Sequence, residues 1–354
     1  MVVTSDFNIS LVKHSKLANI NLQNVPFGKY FTDHMLEVDF ENGEWQTPQI
    51  TPYHPLQMDP SSAVLHYGQA IFEGIKAYKD ANGNPQIFRP YDNFCRFNTS
   101  AIRMQMPPVP EEIFMQGLCK LIDIEKDWIP NLPNHSLYIR PFMISSDAAI
   151  GVKPSEKYKF MIILSPTGPY YATPMRIYVE EKYVRAVPGG IGFAKAAGNY
   201  GAALYPSAEA QKNGFDQVLW MDAVEHRYVQ ECGTMNIFFI IGNTIITPSL
   251  EEGTILAGVT RDSVITVLKS MDFTVEERSI SIDEIVAAYK SGMLKEVFGT
   301  GTAATIALIK ELTYKDFEMK FDVLSWTISP NITHQLDAIK YGKVADNNGW
   351  MCKV

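Results

Sequence analysis

One lysine stands apart in this sequence because its neighbours carry no charge. Lys195 lies in "GGIGFAKAAGNYG", and no other residue from Ala186 to Ala208 carries a formal charge. Lysines usually lie in solvated, charge-rich surface. An isolated lysine among small and aromatic residues either belongs to a neutral loop or sits where desolvation favours its unprotonated form. In the second case its amine is a nucleophile that can bond to a carbonyl group.

Three further segments carry groups that complement such an amine. Glu231, in "YVQECGTMNIFF", places a carboxylate in an apolar strand pattern, where it is costly unless paired. Gly258 and Thr260 precede an apolar helical run, so amides, a hydroxyl and a helix dipole meet there. "EVFGTGTAATIALI", with Thr302, predicts a second glycine- and threonine-rich start of a helix. Taken singly, Glu231 is explained equally well as a strand-end glutamate, and an ordinary threonine cap is the better explanation of Thr260.

Pyridoxal 5′-phosphate would use all of these groups at once. Its aldehyde forms a Schiff base with a lysine, its ring nitrogen needs an acidic partner, and its phosphate suits helix N-termini. A competing interpretation takes "GTGTAA" as a G-x-G-x-x-A dinucleotide fingerprint, with Glu318 about twenty residues further on. We reject it because only 55 residues of the 354 follow Gly299, too few for the further βα units of a nucleotide domain.

Composition excludes several other classes of protein. The formal net charge of −8 argues against nucleic acid as the main partner, since phosphate binding needs a basic surface. The first twenty residues resemble neither a secretory signal nor a transit peptide, and apolar runs are too short to span a membrane. We therefore expect a cytoplasmic protein with reduced thiols and, since cysteine and histidine spacings fit no common metal motif, no metal site. The cysteines are Cys95, Cys119, Cys232 and Cys352.

The elements that must position these groups fall into two halves. Strand and helix patterns alternate in residues 1–165, and strands return from residue 176, with a hairpin turn at Gly242–Asn243 and a helix over Val259–Met271. The turn-forming segment 166–175 predicts an interdomain linker. The chain should thus form two α/β or α+β domains, a smaller one over 1–165 and a larger one over 176–354, with a ligand-binding cleft between them.

Six segments, in order, resemble the motifs of branched-chain amino acid aminotransferases, which are pyridoxal-phosphate enzymes of fold type IV. They are "FGKYFTDHM", "LHYGQAIFEGIKAY", "SLYIRPF", "GGIGFAKAAGNYG", "ECGTMNIFF" and "VFGTGTAA". The resemblance implies a two-domain α/β and α+β architecture with the cofactor at the domain interface. It also implies ping-pong transfer of an amino group between L-leucine, L-isoleucine or L-valine and 2-oxoglutarate, giving branched-chain 2-oxo acids and L-glutamate.

The same resemblance implies roles for individual residues. Lys195 matches the Schiff-base lysine, which is also the catalytic base, and Glu231 matches the partner of the ring nitrogen. Tyr200 matches the tyrosine that hydrogen-bonds the phenolic oxygen of the cofactor. The phosphate contacts implied are Arg96, Val259, Thr260 and Thr302. The implied substrate pocket comprises Phe27, Tyr67, Phe72, Tyr138, Arg140, Thr234 and Ala303.

Two features concern assembly and regulation. Residues Ile150 to Val152 match a loop that the second subunit contributes in this family, so the resemblance implies a homodimer. Mammalian members carry a C-x-x-C redox pair after the glycine-threonine motif. Here those positions are Ala304 and Ala307, so the chain lacks that switch.

Other functions remain as alternatives. Fold type IV also includes D-amino acid aminotransferases and an aminodeoxychorismate lyase, but "FEGIKAY" and the pair Tyr138 and Arg140 favour the branched-chain enzyme. A nicotinamide dehydrogenase would depend on added NAD, whereas a pyridoxal-phosphate enzyme should be yellow. An inactive binding protein is disfavoured because Lys195, Tyr200 and Glu231 are all present.

Overall fold

The computed structural model describes residues 6–170 and 173–354. The strands of these residues are β1 (Asn8–Ile9), β2 (His34–Glu41), β3 (Glu44–Trp45), β4 (Gln49–Pro52), β5 (Ala70–Phe72), β6 (Ile75–Lys79), β7 (Pro85–Phe88), β8 (Ser136–Ser145), β9 (Tyr158–Thr167), β10 (Met175–Val179), β11 (Gln217–Met221), β12 (Val229–Cys232), β13 (Asn236–Ile241), β14 (Thr244–Thr247), β15 (Thr274–Glu277), β16 (Leu294–Gly301), β17 (Thr305–Tyr314), β18 (Phe317–Lys320) and β19 (Met351–Lys353). The α-helices are α1 (Ala63–Tyr67), α2 (Pro90–Arg103), α3 (Gly117–Ile124), α4 (Ala197–Lys212), α5 (Val259–Ser270), α6 (Ile282–Lys290) and α7 (Ile328–Lys340).

The described chain divides into two compact units. The first unit comprises residues 6–170, 194–197 and 338–354, and the second comprises 173–193 and 198–337. The predicted domains differ from this division because β19 pairs with β7, which places the C-terminal residues in the first unit. The linker predicted at 166–175 stays a prediction; β9 extends to Thr167, and residues 171 and 172 lie outside the described residues.

The first unit is built on one large sheet. Its strand order is β1-β4-β2-β9-β8-β6-β7-β19, with β3 beside β2 and β5 beside β8. The two central strands, β8 and β9, are antiparallel along their whole length, from Ser136 opposite Thr167 to Ser145 opposite Tyr158. The apolar runs in "PQIFRP", "SLYIRPFMIS" and "EKYKFMIILSP" predict three strands in this part of the chain. All three are confirmed, as β7, β8 and β9.

Helices α2 and α3 pack on this sheet. The sequence of the second helix predicts an apolar stripe of Ile113, Gly117, Leu118, Leu121 and Ile122 on one face, and these residues are buried. The stripe begins in a π-helical turn and continues in α3. A Cβ atom at Gly117 would lie 2.7 Å from the Cδ2 of a buried leucine, so the missing side chain allows α3 to approach β2 closely.

The second unit contains a mixed sheet. Its order is β12-β11-β10-β17-β16-β13-β14-β15, with β18 beside β17. The predicted hairpin between β13 and β14 is confirmed, with Ile241 opposite Thr244. The predicted helix α5 is also confirmed. The sequence further predicts a helix over Ile282–Ser291, with a capping box of Ser281 and Glu284 and a stop at Gly292, and α6 confirms it. The Ser281 hydroxyl accepts a hydrogen bond from the Glu284 amide, and Gly292 has φ of +71°.

One local prediction is wrong. The segment with Thr302 does not start a helix but forms the turn of a hairpin, with β16 and β17 antiparallel and Gly301 opposite Thr305. The β-branched residues Ile306 and Ile309 suit a pleated strand, and pairing with β16 decides the outcome.

Candidate active site

Lys195 lies two residues before the start of α4, in a segment that belongs to the first unit. Its amide donates to the Ser100 hydroxyl at 2.8 Å, and its carbonyl accepts from the Phe72 amide at 3.1 Å. Its neighbours Ala194 and Ala196 are buried, whereas the lysine itself is half-buried. These backbone bonds fix the position of a lysine whose side chain retains access to solvent.

An aromatic and cationic cluster surrounds this lysine. Its Nζ lies 5.0 Å from the centre of the Phe72 ring, over which the Arg140 guanidinium also lies, at 4.6 Å. Arg140 donates to the Tyr138 hydroxyl at 3.0 Å, and the Tyr138 ring is 4.8 Å from the ring of Phe27. The structure thus brings together five residues that the sequence assigned to one site.

Glycine makes room for this cluster. A Cβ atom at Gly74 would lie 2.3 Å from the Tyr138 hydroxyl oxygen, so any side chain there would displace the tyrosine. Gly74 follows shortly after β5, which carries Phe72. The "FEG" sequence therefore places an aromatic ring, a carboxylate and a backbone without a side chain next to one another.

Arg96 is held by a carboxylate that the sequence analysis did not single out. Its Nε and one terminal nitrogen donate to the two oxygens of Glu73 at 2.7 and 2.8 Å. The Glu73 side chain is fully buried and that of Arg96 is one-tenth exposed. A bidentate pair of this kind fixes the plane of the guanidinium.

Two predicted features of the first unit lie at its surface. Tyr67, the last residue of α1, is 43% exposed. Ile150 and Val152 are 69% and 90% exposed, which is unusual for two apolar side chains in one short loop.

In the second unit, Glu231 is buried and ion-paired. Its Oε2 lies 3.2 Å from Nε of Arg185, and its Oε1 accepts from the Leu256 amide at 2.7 Å. Arg185 also donates to the carbonyls of Gly192 and Thr254. The buried carboxylate that the sequence predicts therefore has a cationic partner in the same unit.

Strand register gathers several other predicted residues at one end of this unit's sheet. Asn236, at the start of β13, lies opposite Thr300, near the end of β16. The turns that precede β13 and follow β16 are consequently neighbours. These turns carry Thr234, which is exposed, and Thr302 and Ala303, which are half-buried.

The start of α5 lies at the same end. Asn236 donates from Nδ2 to the Leu256 carbonyl at 2.9 Å, and a Cβ atom at Gly258 would lie 2.0 Å from Asn236 Oδ1. Gly258 is the N-cap of α5, and Val259 and Thr260 in its first turn are buried. Only glycine lets this helix start so close to β13.

Tyr200 lies in the first turns of α4 and is half-buried. The preceding residue, Asn199, is buried and donates to the Ile191 carbonyl at 2.9 Å. This bond ties the start of the helix to the glycine-rich loop before Lys195.

Sequence reasoning missed Glu73, Arg185 and Asn236. Each acts through a partner more than twenty positions away in the chain, which no local periodicity reports. Two of these residues could have been found from the sequence, because they are polar residues inside segments that resemble the family motifs. They are Glu73 in "FEGIKAY" and Asn236 in "ECGTMNIFF".

Two further observations concern membrane spans and metal ligands. Among residues 6–170 and 173–354, no helix is both long and apolar enough to cross a bilayer. The same residues contain no group of three histidine, cysteine, aspartate or glutamate side chains arranged to bind a metal ion.

Comparison with known proteins relates this site to a family. Residues 70–312 match the family described as amino-transferase class IV. The chain is 49% identical over 334 residues to branched-chain-amino-acid transaminase 1 of Bacillus subtilis (strain 168), and the alignment covers 93% of this chain and 94% of that relative.

Solved structures agree with this match. The branched-chain aminotransferase of Thermoproteus uzoniensis, solved with norvaline, has a TM-score of 0.75 at 25% identity, covering 90% of this chain and 99% of that one. The T.th. branched-chain amino acid aminotransferase, complexed with N-(5′-phosphopyridoxyl)-L-glutamate, has a TM-score of 0.72 at 26% identity, covering 89% and 98%. The predicted family and fold type are confirmed. The chain belongs to the class IV aminotransferases and, within them, to the branched-chain-amino-acid aminotransferases.

Proposed function

We propose that this chain transfers an amino group, with pyridoxal 5′-phosphate as cofactor, between L-leucine, L-isoleucine or L-valine and 2-oxoglutarate. The products are the branched-chain 2-oxo acids and L-glutamate. The observation that carries the proposal is the Lys195 amine beside Phe72 and Arg140, in a chain 49% identical to a branched-chain transaminase. The D-amino acid aminotransferase and aminodeoxychorismate lyase alternatives are not favoured, because relatives with about 48% identity carry the branched-chain name.

The residues present fit this cofactor. Each unit by itself offers donors that suit a phosphate: the first has the Arg96 guanidinium, and the second has the backbone amides at the glycine-capped start of α5. A protonated ring nitrogen needs a buried carboxylate, which Glu231 supplies. We assign the phosphate to Arg96, Val259, Thr260 and Thr302, and the phenolic oxygen to Tyr200.

Lys195 acts as covalent anchor and as base. When bound, pyridoxal 5′-phosphate supplies an aldehyde that bonds to amines and a ring that withdraws electron density from the substrate Cα. With the cofactor bound, the Nζ atom of Lys195 would accept the proton from the substrate Cα and later return a proton. Fixing its backbone through Ser100 and Phe72 restricts the positions that the amine can reach.

Glu231 keeps a proton on the ring nitrogen by accepting its hydrogen bond as a carboxylate. Arg185 and the Leu256 amide orient that carboxylate through different oxygens. Stabilising charge at this position is worth on the order of a hundredfold in rate.

Substrate side chains are proposed to bind the aromatic cluster. Phe27, Tyr67, Phe72 and Tyr138 offer apolar surface to the branched side chains, with Thr234 and Ala303 completing the pocket. Arg140 supplies a cation for the γ-carboxylate of glutamate and 2-oxoglutarate.

We further propose that the enzyme is a cytoplasmic homodimer. The exposed Ile150 and Val152 support the dimer, because apolar side chains exposed this strongly suit a subunit contact. Light scattering on purified enzyme tests it: a mass twice the 39.8 kDa of the chain is expected, and a monomer at micromolar concentration would contradict it.

Borohydride trapping tests the central assignment. Reduction of wild-type enzyme should fix the cofactor to the peptide that contains Lys195, as found by mass spectrometry. Lys195→Ala should trap none and lose activity by at least about a thousandfold, since both covalent anchoring and proton transfer are removed.

The matched control is Lys182→Ala. Lys182 is exposed, and its Nζ lies 5.1 Å from an aromatic ring, much as that of Lys195 does. This variant should trap cofactor and turn over as wild type does. Trapping at a different lysine in active Lys195→Ala enzyme would overturn the proposal.

A further inference from the structure

The second unit contains a cavity that the proposed reaction does not use. It measures about 70 Å³, whereas one water molecule needs about 10–15 Å³, so a group of several non-hydrogen atoms fits inside. Its walls come from the turn between β11 and β12, from β12 itself and from the segment that follows β14. The described residues that line it include none assigned above to the cofactor or the substrates.

Gln230, in β12, lines this cavity with an amide that no other group satisfies. The residue is 3% exposed, and neither its Oε1 nor its Nε2 has a hydrogen-bond partner within the described chain. Burying an amide without hydrogen bonds is costly, and most buried polar groups are paired for that reason. Gln230 therefore offers one acceptor and two N–H donors to a molecule in the cavity.

Strand β12 is bulged at this residue. Leu219 lies opposite Cys232 and Met221 lies opposite Val229, so β12 has one more residue than β11 between these two pairs. Gln230 lies within this bulge. Bulges of this kind redirect side chains next to functional sites, and here the redirected chain is a buried amide.

The walls of the cavity are acidic. Its described lining includes Asp222, Glu251 and Glu252 and no lysine, arginine or histidine. Asp222 is buried, and its two oxygens accept four backbone amides, so it contributes negative charge without further capacity for hydrogen bonds. Glu251 and Glu252 are exposed and have no ion-pair partner in the part of the chain that the structure describes. Their exposure places them at the mouth of the cavity.

Arginines beside these walls do not neutralise them, because each binds a carboxylate outside the cavity. The pairs are Arg185 with Glu231, Arg227 with Asp283, Arg261 with Glu277, and Arg278 with Glu276 and Glu284. The acidic walls therefore favour a cation as the occupant of the cavity.

We propose that this cavity binds a small aliphatic ammonium ion whose N–H groups donate to Gln230 Oε1. The buried charge of Asp222 attracts the ammonium group, and water that enters with the ligand can accept from Gln230 Nε2. A metal ion is a poorer ligand, because one neutral amide oxygen and a carboxylate already occupied by four amides leave it too few oxygens. A diamine suits the site best, since its second ammonium group would meet Glu251 and Glu252 at the mouth.

An NMR titration of the purified enzyme with 1,4-diaminobutane, observed on the ligand, tests the proposal. Prior treatment with borohydride prevents the amine from reacting with the aldehyde of a bound cofactor. The diamine has six non-hydrogen atoms and should bind with a Kd of about 10 mM or tighter at low ionic strength. 1,4-Butanediol matches it in size without charge and should bind at least about tenfold more weakly. Failure of the diamine to saturate, or equal binding of the diol, would overturn the proposal.

Variants locate the bound amine. Gln230→Leu removes both polar atoms at similar volume and should raise the Kd about tenfold or more, as expected for one charge-assisted hydrogen bond. Glu252→Gln should raise it about two- to fivefold, because solvent screens an exposed charge. Glu225→Gln is the matched control: Glu225 is exposed and lies outside the cavity lining, so the Kd should stay unchanged. Equal effects of the two glutamate variants would show non-specific attraction and contradict the site.

Thermal unfolding without amine separates ligand binding from a structural role of Gln230. Leucine leaves no buried polar atom without a partner, so Gln230→Leu should be at least as stable as wild type. A clear fall in Tm would show that the amide stabilises the fold itself, and the assignment to a ligand would then be wrong. The comparison of diamine with diol needs no variant, so it decides the matter even if a variant does not fold.

Discussion

Arg185 and Glu231 form a buried ion pair, with 3.2 Å between Nε and Oε2 and side chains that are 8% and 4% exposed. The pair belongs to the second unit, where Arg185 also binds two carbonyls. A Cβ atom at Gly192, which contributes one of these carbonyls, would lie 2.5 Å from the Thr254 carbonyl oxygen. Gly192 therefore allows its backbone segment to lie close to that of Thr254, and the Arg185 guanidinium binds a carbonyl of each segment.

Arg185→Met should destabilise the second unit by about 3–5 kcal/mol, because it leaves Glu231 as a buried charge without its partner. Urea unfolding followed by tryptophan fluorescence measures the change. Arg176→Met is the matched control: Arg176 pairs with Glu311 at 2.8 Å but is 37% exposed, so about 1 kcal/mol or less is expected. Equal losses for the two variants would show that burial of the Glu231 pair is unimportant.

Arg140→Met should separate the two half-reactions. The Arg140 Nε is buried and has no hydrogen-bond partner within the described chain, which suits a residue that receives a substrate carboxylate. A charge-assisted hydrogen bond contributes about 1.5–3 kcal/mol, so KM for 2-oxoglutarate should rise about ten- to more than a hundredfold. The kcat/KM for leucine should change far less. Single-turnover kinetics of each half-reaction measure both effects, and equal losses would indicate a structural role for Arg140.

Gly258→Ala should weaken cofactor binding. The added Cβ would meet Asn236 Oδ1 at 2.0 Å, so the first turn of α5 must move. Overpacking costs about 1–3 kcal/mol, which corresponds to about a 5- to 150-fold rise in the Kd of the cofactor. Absorbance titration of apoenzyme measures it. The same change at Gly201, which lies in α4 with no atom within 4 Å of the new Cβ, should leave that Kd unchanged. A wild-type Kd in Gly258→Ala would count against the assigned phosphate position.

Asp222→Asn should lower stability in a pH-dependent way. Burial acts to raise the pKa of Asp222, but backbone amides of Val224, Glu225, Arg227 and Tyr228 donate to it at 2.7 to 3.0 Å and hold its pKa below the usual range. A carboxylate with a depressed pKa stabilises the fold above its unfolded pKa of about 3.9, and this contribution disappears as pH falls towards the folded value.

The variant should therefore lose about 1–3 kcal/mol at pH 7, because an amide nitrogen cannot accept these bonds. The difference from wild type should shrink below about pH 4. Thermal unfolding of both proteins from pH 7 to pH 3 measures this difference. A gap that stays constant or widens on acidification would contradict the role of the carboxylate.

Local pattern predicted most elements of this fold. The apolar runs of β8 and β9, the turn at Gly242–Asn243 and the Ser281 cap of α6 follow from short-range rules, and all are present. The segment after Gly301 failed because glycine, threonine and alanine suit a helix start and a tight turn equally well. Thr305, with φ of +63°, adopts a backbone conformation that its side chain disfavours, so no propensity could indicate it.

The site was predicted less completely than the fold. Lys195 and Glu231 could be identified because a charge in an apolar setting is visible in the sequence itself. Glu73, Arg185 and Asn236 could not, since each looks ordinary until strand register brings its partner near. Their contribution is orientation, which depends on contacts between distant parts of the chain.

During synthesis, β7 is complete long before its partner strand β19 exists. Residues 85–88 leave the ribosome long before residues 351–353, and translation proceeds at about 5–20 residues per second. For tens of seconds the nascent first sheet therefore ends in an exposed strand edge, open to pairing with other chains.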